Sequence, residues 1–207
     1  MYYGYGLGGF FWDPTYFLVI IGVVICLIAS ARVKSTYAKF ERVRSHSGVT
    51  AAEAAQQILH GAGIYNVRIE HISGHLTDNY DPRSKVLHLS DATWRSTSVA
   101  AIGVAAHECG HAIQDARDYA PLRIRGAIVP VVNFGSALSW PLIIIGVLLS
   151  FNHFLITLGI VLFSLTVVFQ LVTLPVEFDA SSRALRILGD SVSYTHLRAH
   201  ETLRHVV

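Results

Sequence analysis

The sequence is poor in charged residues and in cysteine, and both scarcities exclude classes of protein. Charged residues make up 14% of the chain and hydrophobic residues 52%, a composition too apolar for a simple soluble globule and typical of a membrane protein. The formal net charge is only +2 and no basic run is interleaved with aromatic residues, so a nucleic-acid partner is not expected. The two cysteines, Cys26 and Cys109, lie in a hydrophobic segment and in a helical motif, which argues against a disulfide framework.

Three hydrophobic segments are candidates for crossing a bilayer. They are residues 16–31, 128–150 and 154–176. The first is short for a span, although the aromatic residues before it can extend it. Only residues 151–153 separate the second segment from the third, which predicts a tight helical hairpin. Pro130 and Pro141 are expected to kink the second helix, which membrane helices tolerate.

The distribution of lysine and arginine predicts how these spans are oriented. Residues 1–14 contain neither, whereas five basic residues follow the first segment between positions 32 and 44. A cleaved signal peptide carries its positive charge before the hydrophobic run, so we interpret the segment as an uncleaved anchor with its N-terminus outside. The hairpin loop also lacks basic residues, while arginines flank both outer ends of the hairpin. The region between the first two spans is therefore expected in the cytoplasm.

That region, residues 33–122, has the pattern of a small α+β unit. A capping box, Thr50-Ala51-Ala52-Glu53, predicts a helix that ends near Gly61 or Gly63. Alternating apolar residues predict two strands, with a turn before the second. These strands and the turn are residues 67–72, 85–90 and 79–84. The second strand, near residues 86–89, is expected to present an open edge to which an extended peptide substrate can add.

The run His107-Glu108-Cys109-Gly110-His111 is an H-E-x-x-H zinc motif. Residues 97–106 before it are small and apolar behind a Ser/Thr cap, which predicts a buried helix. On a helix, His107 and His111 project from one face, where a single Zn²⁺ can bind both at roughly 2.0–2.1 Å. Glu108 stays near the metal without binding it and can act as the general base. The alternative is a core helix whose histidines only form hydrogen bonds.

Cys109 points away from the histidine face and is expected to be a small packing residue. A catalytic zinc usually takes three protein ligands and leaves the fourth position to water. Glu177 is the candidate third ligand, because the hairpin returns the chain to the same membrane surface directly before it. Asp179 is the second choice, and the alternative for Glu177 is an interfacial charge that caps the following helix. The other histidines considered are expected on the surface or in loops: His60, His71, His75 and His88.

Two separated runs resemble the signatures of a known family. Residues 107–115 and 174–184, together with the Asn79-Tyr80-Asp81-Pro82 loop, resemble the neutral zinc metallopeptidases of bacterial membranes, the YugP-like proteins. The resemblance extends over roughly residues 1–189. It implies a gluzincin-type site in which His107, His111 and Glu177 bind zinc and Glu108 is the catalytic base.

The site is more distantly similar to those of the HtpX and CAAX-processing membrane proteases. In those proteins the glutamate ligand lies in Glu-x-x-x-Asp, whose aspartate supports the site. The fourth position after Glu177 here is Ser181, so that supporting role is open to Asp115 or Asp179. The group that stabilises the oxyanion is also open among Tyr119, His88 and the arginines.

The chain departs from the family pattern after Gly189. The expected continuation is a helix and a last hydrophobic segment, whereas residues 190–207 are polar and rich in histidine and arginine. We interpret this tail as non-native and exclude its His196, His200 and Glu201 from the site. The alternative is a natural metal-binding tail.

Together these observations predict a mostly α-helical membrane protein with three transmembrane helices and a small α+β, zincin-like catalytic unit. The expected order is a membrane anchor, a cytoplasmic α+β region, a transmembrane hairpin, a helix with the third ligand and the tail, over residues 1–31, 32–127, 128–176, 177–189 and 190–207. The expected function is a zinc-dependent endopeptidase of the cell membrane, with one Zn²⁺ per chain and peptide or protein substrates, membrane proteins among them.

Two other functions are compatible with parts of the sequence. One is a catalytically idle membrane scaffold or metal-binding protein that retains the zinc motif. Glu108 argues against that function, because zinc binding alone does not need it. The other is a transporter that uses the histidines as a metal pathway, and it is disfavoured because no ionisable residue lies deep in any span.

Overall fold

The computed structural model describes residues 14–45 and 47–190, which form five helices and three strands within these ranges. In chain order the elements are α1 Pro14–Phe40, α2 Ala51–Gly61, β1 Arg68–Ile72, β2 Asn79–Asp81, β3 Val86–Ser90, α3 Val99–Ala116, α4 Ala120–Leu148 and α5 His153–Asp190. The expectations for residues 1–13 and for the tail from residue 191 onward lie outside the described residues.

Three of these helices are long and apolar enough to cross a membrane. They cover Tyr16–Phe40, Ala120–Leu148 and His153–Gly189. The predicted fold class, a mostly helical membrane protein with three such helices and a small α+β unit, is confirmed. The helices run beyond the apolar segments that the sequence marks, because polar residues at the ends of a span continue the same backbone hydrogen bonding.

Helices α4 and α5 pack closely as an antiparallel hairpin. At Gly159 of α5, an added Cβ would lie 2.8 Å from the Ser139 carbonyl oxygen of α4. Only glycine permits this backbone approach, as is common where membrane helices associate through van der Waals contact. The side chain of Ser139 is fully buried there and its hydroxyl donates to the Ser136 carbonyl at 2.8 Å, so the polar group costs little in the apolar interior.

The capping box and the predicted helix after it are confirmed. The Thr50 hydroxyl accepts from the Glu53 N–H at 3.2 Å, and the Glu53 carboxylate accepts from the Thr50 N–H at 2.8 Å. Helix α2 ends at Gly61, and Gly63 follows with a φ of +76° that glycine adopts without strain. The buried face of α2 then packs against α3 in the main hydrophobic core.

The sheet has the order β1-β3-β2, with β1 parallel and β2 antiparallel to β3. The expectation that β3 offers an open edge is therefore wrong, because both of its edges are hydrogen-bonded and Leu87 and Leu89 are fully buried. The predicted turn also begins later than expected. Asn79–Asp81 is strand β2, and the turn follows it where the Asp81 carboxylate accepts from the Arg83 N–H at 2.9 Å.

Helix α5 continues without a break from the hairpin into the α+β unit. Pro175 lies inside it and removes one backbone donor without ending the helix. Beyond Pro175, a stripe of residues spaced four apart is buried: Val176, Ala180, Ala184 and Leu188. This spacing keeps the stripe on one helix face, which packs against α3 and brings Glu177 to the motif helix.

Candidate metal site

Helix α3 carries the histidine motif, and Ser98 caps its N-terminus. The Ser98 hydroxyl accepts a hydrogen bond from the Ala101 N–H at 3.2 Å, which satisfies one of the donors that lack a partner in the first turn. His107 and His111 project from the same face, with ring centroids 4.9 Å apart and ring planes at 83°. Their side chains are only 20% and 9% exposed, so both rings are largely buried.

Glu177 reaches the two histidines from α5. Its Oε2 lies 3.2 Å from Nε2 of His107 and 3.5 Å from Nε2 of His111. One ligand atom from each of the three residues falls within 4.8 Å of the others. The structure thus brings together the three residues that the sequence nominates as metal ligands, although 65 residues separate His111 from Glu177 in the chain.

The donor set fits a zinc ion in its chemistry and its spacing. Ligands about 2.0–2.1 Å from a tetrahedral zinc lie roughly 3.3 Å from one another, close to the separations between the Glu177 oxygen and the two ring nitrogens. Two imidazoles and one carboxylate also form the usual three-ligand set that leaves a position open for water. The cluster could therefore hold one zinc ion.

Each histidine has a hydrogen-bonding partner at its other ring nitrogen. Ser181 Oγ lies 3.2 Å from Nδ1 of His107, and Gln114 Oε1 lies 3.0 Å from Nδ1 of His111. With Nδ1 engaged, each ring presents Nε2 to the shared Glu177 oxygen. Sequence reasoning assigned neither partner a role, although their spacing is a usable signal: Gln114 is three residues after His111 and Ser181 is four after Glu177.

The two carboxylates considered as supporting groups have different positions. Asp115 accepts from Tyr80 Oη and from Lys85 Nζ, both at 2.5 Å, and so ties α3 to the sheet. Asp179 accepts from Gln114 Nε2 at 2.8 Å and from Arg183 Nε at 2.6 Å. Asp179 therefore connects to the site through Gln114, and the position of the supporting aspartate in the distant relatives is taken here by Ser181.

Glu108 lies on α3 between the two histidines and is half-buried. Burial raises the pKa of its carboxyl, against the lowering effect of His111 and His107. A carboxylate with less water around it binds a proton more strongly than a solvated one, which suits a proton acceptor. Cys109 points the other way as expected: it is fully buried, and its thiol lies 3.7 Å from the Ala55 carbonyl of α2.

Among the groups considered for oxyanion stabilisation, Arg125 contacts a candidate ligand. Its Nη1 lies 3.8 Å from Oε1 of Glu177, the oxygen that does not face the histidines. His88 instead pairs with Asn79, its Nδ1 being 3.1 Å from the Asn79 Oδ1. Tyr119 has its ring beneath the guanidinium of Arg183, 5.9 Å from it.

Gly110 sets the distance between the two helices that carry the candidate ligands. A Cβ at this position would lie 2.6 Å from the Ala180 carbonyl oxygen and 3.0 Å from the Ala180 Cα. These are backbone atoms, which cannot rotate out of the way. The glycine in the middle of the motif therefore lets α5 approach closely enough for Glu177 to meet His107 and His111.

Gly110→Ala is expected to destabilise the protein and weaken zinc binding. Alanine favours a helix by about 1 kcal/mol over glycine, but overpacking against a fixed backbone costs about 1–3 kcal/mol and moves α5 outward. The thermal unfolding midpoint and the zinc affinity of the purified variant measure both effects. Gly126→Ala is the control, because a Cβ there meets no atom within 4 Å. If Gly110→Ala binds zinc as the parent does, the close approach does not position the ligand.

The profile of a family described as "putative neutral zinc metallopeptidase" matches residues 15–206. The chain is also 46% identical, over 172 residues, to the protein described as "putative membrane protease YugP" from Bacillus subtilis (strain 168); the match covers 83% of this chain and 76% of that protein. No solved structure matches the chain.

Proposed function

The chain belongs to the putative neutral zinc metallopeptidase family, and from this premise we propose that it is a membrane-anchored, zinc-dependent endopeptidase. The observation that carries the proposal is the convergence of His107, His111 and Glu177 from two helices. The description of the Bacillus subtilis relative as a putative membrane protease supports it.

In this proposal His107, His111 and Glu177 hold one zinc ion per chain. When bound, zinc supplies a Lewis acid that polarises the scissile carbonyl and lowers the pKa of a water. Gln114 and Ser181 orient the rings of His111 and His107 through hydrogen bonds at Nδ1, the nitrogen that faces away from the metal. Arg125, beside the far oxygen of Glu177, is the cation placed to favour negative charge as it develops on the substrate.

Glu108 is the proposed general base. It lies on the same helix between the two histidine ligands, and one residue along a helix is a rotation of about 100°, so it borders the site without joining the ligand set. Its carboxylate accepts a proton from the attacking water and delivers it to the leaving amine. Both transfers occur at one carboxylate, which therefore returns to its starting state after each turnover.

Removing the metal tests the function as a whole. Purified protein is expected to contain about one zinc per chain and to cleave casein or a peptide derived from a membrane protein. A zinc chelator should stop the cleavage, and added zinc should restore it. Cleavage that continues with fully chelated metal contradicts a zinc-dependent activity.

We further propose that the protein is multi-pass, with the site on the cytoplasmic side of the cell membrane and the bilayer and a protein substrate as its partners. Three helices have the length and composition of spans, and the basic residues gather at one side of them. The proposed division is an anchor, a cytoplasmic region, a hairpin and a ligand-bearing helix, over residues 1–31, 32–127, 128–176 and 177–189.

Cysteine labelling in intact cells tests this orientation. Ser84→Cys, in the exposed turn after β2, is expected to resist an impermeant thiol reagent until the cells are lysed. His153→Cys, exposed at the start of α5 in the hairpin loop, is the matched control on the opposite side and should react without lysis. The reverse pattern of labelling places the site outside the cytoplasm.

A further inference from the structure

Gln114 is a fully buried amide on the motif helix, and each of its polar atoms has a partner. Its Oε1 lies 3.0 Å from Nδ1 of His111. Its Nε2 lies 2.8 Å from the Val176 carbonyl oxygen and 2.8 Å from Oδ2 of Asp179. Burying an amide without hydrogen-bonding partners is costly, so the three partners together strongly constrain where this side chain can lie.

The partners themselves fix which end of the amide is nitrogen. The Val176 carbonyl and the Asp179 carboxylate can only accept hydrogen bonds, so the atom between them must be the NH₂ group. The atom facing His111 must then be the oxygen, which can only accept. His111 is consequently obliged to donate from Nδ1, so Nε2, which faces Glu177, is the ring nitrogen available to a metal ion.

The same amide also holds the second ligand-bearing helix. Val176 immediately precedes Glu177, and Asp179 lies two residues after it. The NH₂ group of Gln114 therefore donates to residues on both sides of Glu177 in α5. The oxygen of the same side chain accepts from the His111 ring on α3. Arg183 donates to Asp179 at 2.6 Å and keeps that carboxylate in place.

We propose that Gln114 is a positioning residue for the metal site, which fixes the Nδ1–H tautomer of His111 and sets the placement of Glu177 through Val176 and Asp179. This inference rests on the proposed metal site and deepens it. It concerns metal binding alone, so it can be tested without any measurement of peptide cleavage.

The first test compares two variants that each remove side-chain hydrogen bonds made by α3. Gln114→Met keeps the length of the side chain and removes all three partners. Tyr80→Phe removes the bond to Asp115, the next residue along, on the face that meets the sheet. Zinc affinity is measured by competition with a chromophoric chelator, and the visible absorption of the Co²⁺-loaded protein reports the ligand geometry.

Gln114→Met is expected to weaken zinc binding by about 10- to 100-fold, the range typical of lost partners behind a ligand, and to change the Co²⁺ spectrum. Tyr80→Phe is expected to leave both unchanged even where it lowers the unfolding temperature equally. If Gln114→Met binds zinc as tightly as the parent protein, Gln114 acts only in packing and the proposal is wrong.

If Gln114→Met does not fold, a double variant tests the same hydrogen bond. In Gln114→Glu combined with Asp179→Asn, the net charge is kept and the direction of the bond is reversed, so that the asparagine NH₂ donates to the new carboxylate. That carboxylate still accepts from His111. Both this double variant and Gln114→Glu alone lose the donor to the Val176 carbonyl, so their comparison isolates the bond to position 179. The double variant is expected to bind zinc more tightly than Gln114→Glu alone, and equal affinities contradict the bracketing role.

A measurement on the unmodified chain decides the tautomer directly. Nitrogen chemical shifts of ¹⁵N-histidine-labelled, zinc-loaded protein distinguish which ring nitrogen carries hydrogen, with the His111 signals assigned from a His111→Gln variant. The proposal requires hydrogen on Nδ1 and metal on Nε2. Hydrogen on Nε2 overturns it. A protein that shows the expected tautomer but cleaves no peptide contradicts the endopeptidase proposal and leaves the role of Gln114 established.

Discussion

Glu108→Gln is expected to leave zinc bound and to abolish peptide hydrolysis. The amide matches the carboxylate in size and shape, but it cannot accept the proton that an attacking water must lose. A positioned general base contributes typically about 10²- to 10⁴-fold to a rate, so kcat should fall by at least that order while KM changes little. The zinc ligands are other residues, which is why the metal content should not change.

Glu70→Gln is the matched control for this substitution. It makes the same chemical change at an exposed glutamate of β1, whose carboxylate lies 3.4 Å from Arg68. Zinc content, kcat and KM are measured for the parent and both variants in the same detergent. Loss of zinc from Glu108→Gln places Glu108 among the ligands, and undiminished cleavage removes it from the mechanism.

Glu177→Ala is expected to lower zinc affinity more strongly than Asp179→Ala. Glu177 supplies one of three donors and faces both ring nitrogens, at 3.2 and 3.5 Å. Asp179 touches the site only through Gln114, and loss of such an outer partner costs about 10- to 100-fold in affinity. Loss of a ligand should exceed that range. His107→Ala and His111→Ala are expected to match Glu177→Ala.

The order of these two affinities decides the identity of the third ligand. Both variants remove one negative charge from neighbouring positions of α5, so differences in net charge do not separate them. Competition with a chelator gives the dissociation constants. A stronger effect from Asp179→Ala than from Glu177→Ala would reverse the assignment and make Asp179 the ligand.

Features that depend on local sequence patterns were predictable. The capping box of α2 and the motif helix rest on contacts between residues three or four apart, which a sequence displays directly. The three apolar helices are equally local, since the length of an uninterrupted apolar run determines whether it can span a bilayer. The family could also be recognised from the sequence, because its two signatures are short runs of neighbouring residues.

Features that depend on the packing of distant segments were not predictable. The order β1-β3-β2 makes β3 the central strand, whereas the sequence of β3 alone is compatible with an edge or a centre. For the same reason, the sequence could not identify which residues hydrogen-bond to the two histidines. Whether Asp115, Asp179, Gln114 or Ser181 meets an imidazole depends on how α5 is rotated and translated against α3.

The sequence by itself therefore determined the three helices that are long and apolar enough to cross a membrane, the His-Glu-x-x-His motif and the family. Each of these depends on a short run of neighbouring residues. Only the tertiary structure decided that Gln114 and Ser181, rather than an aspartate, contact the histidines. The physical reason is the backbone contact of Gly110 with Ala180. That contact fixes the position of one helix on the other, and with it every hydrogen bond between them.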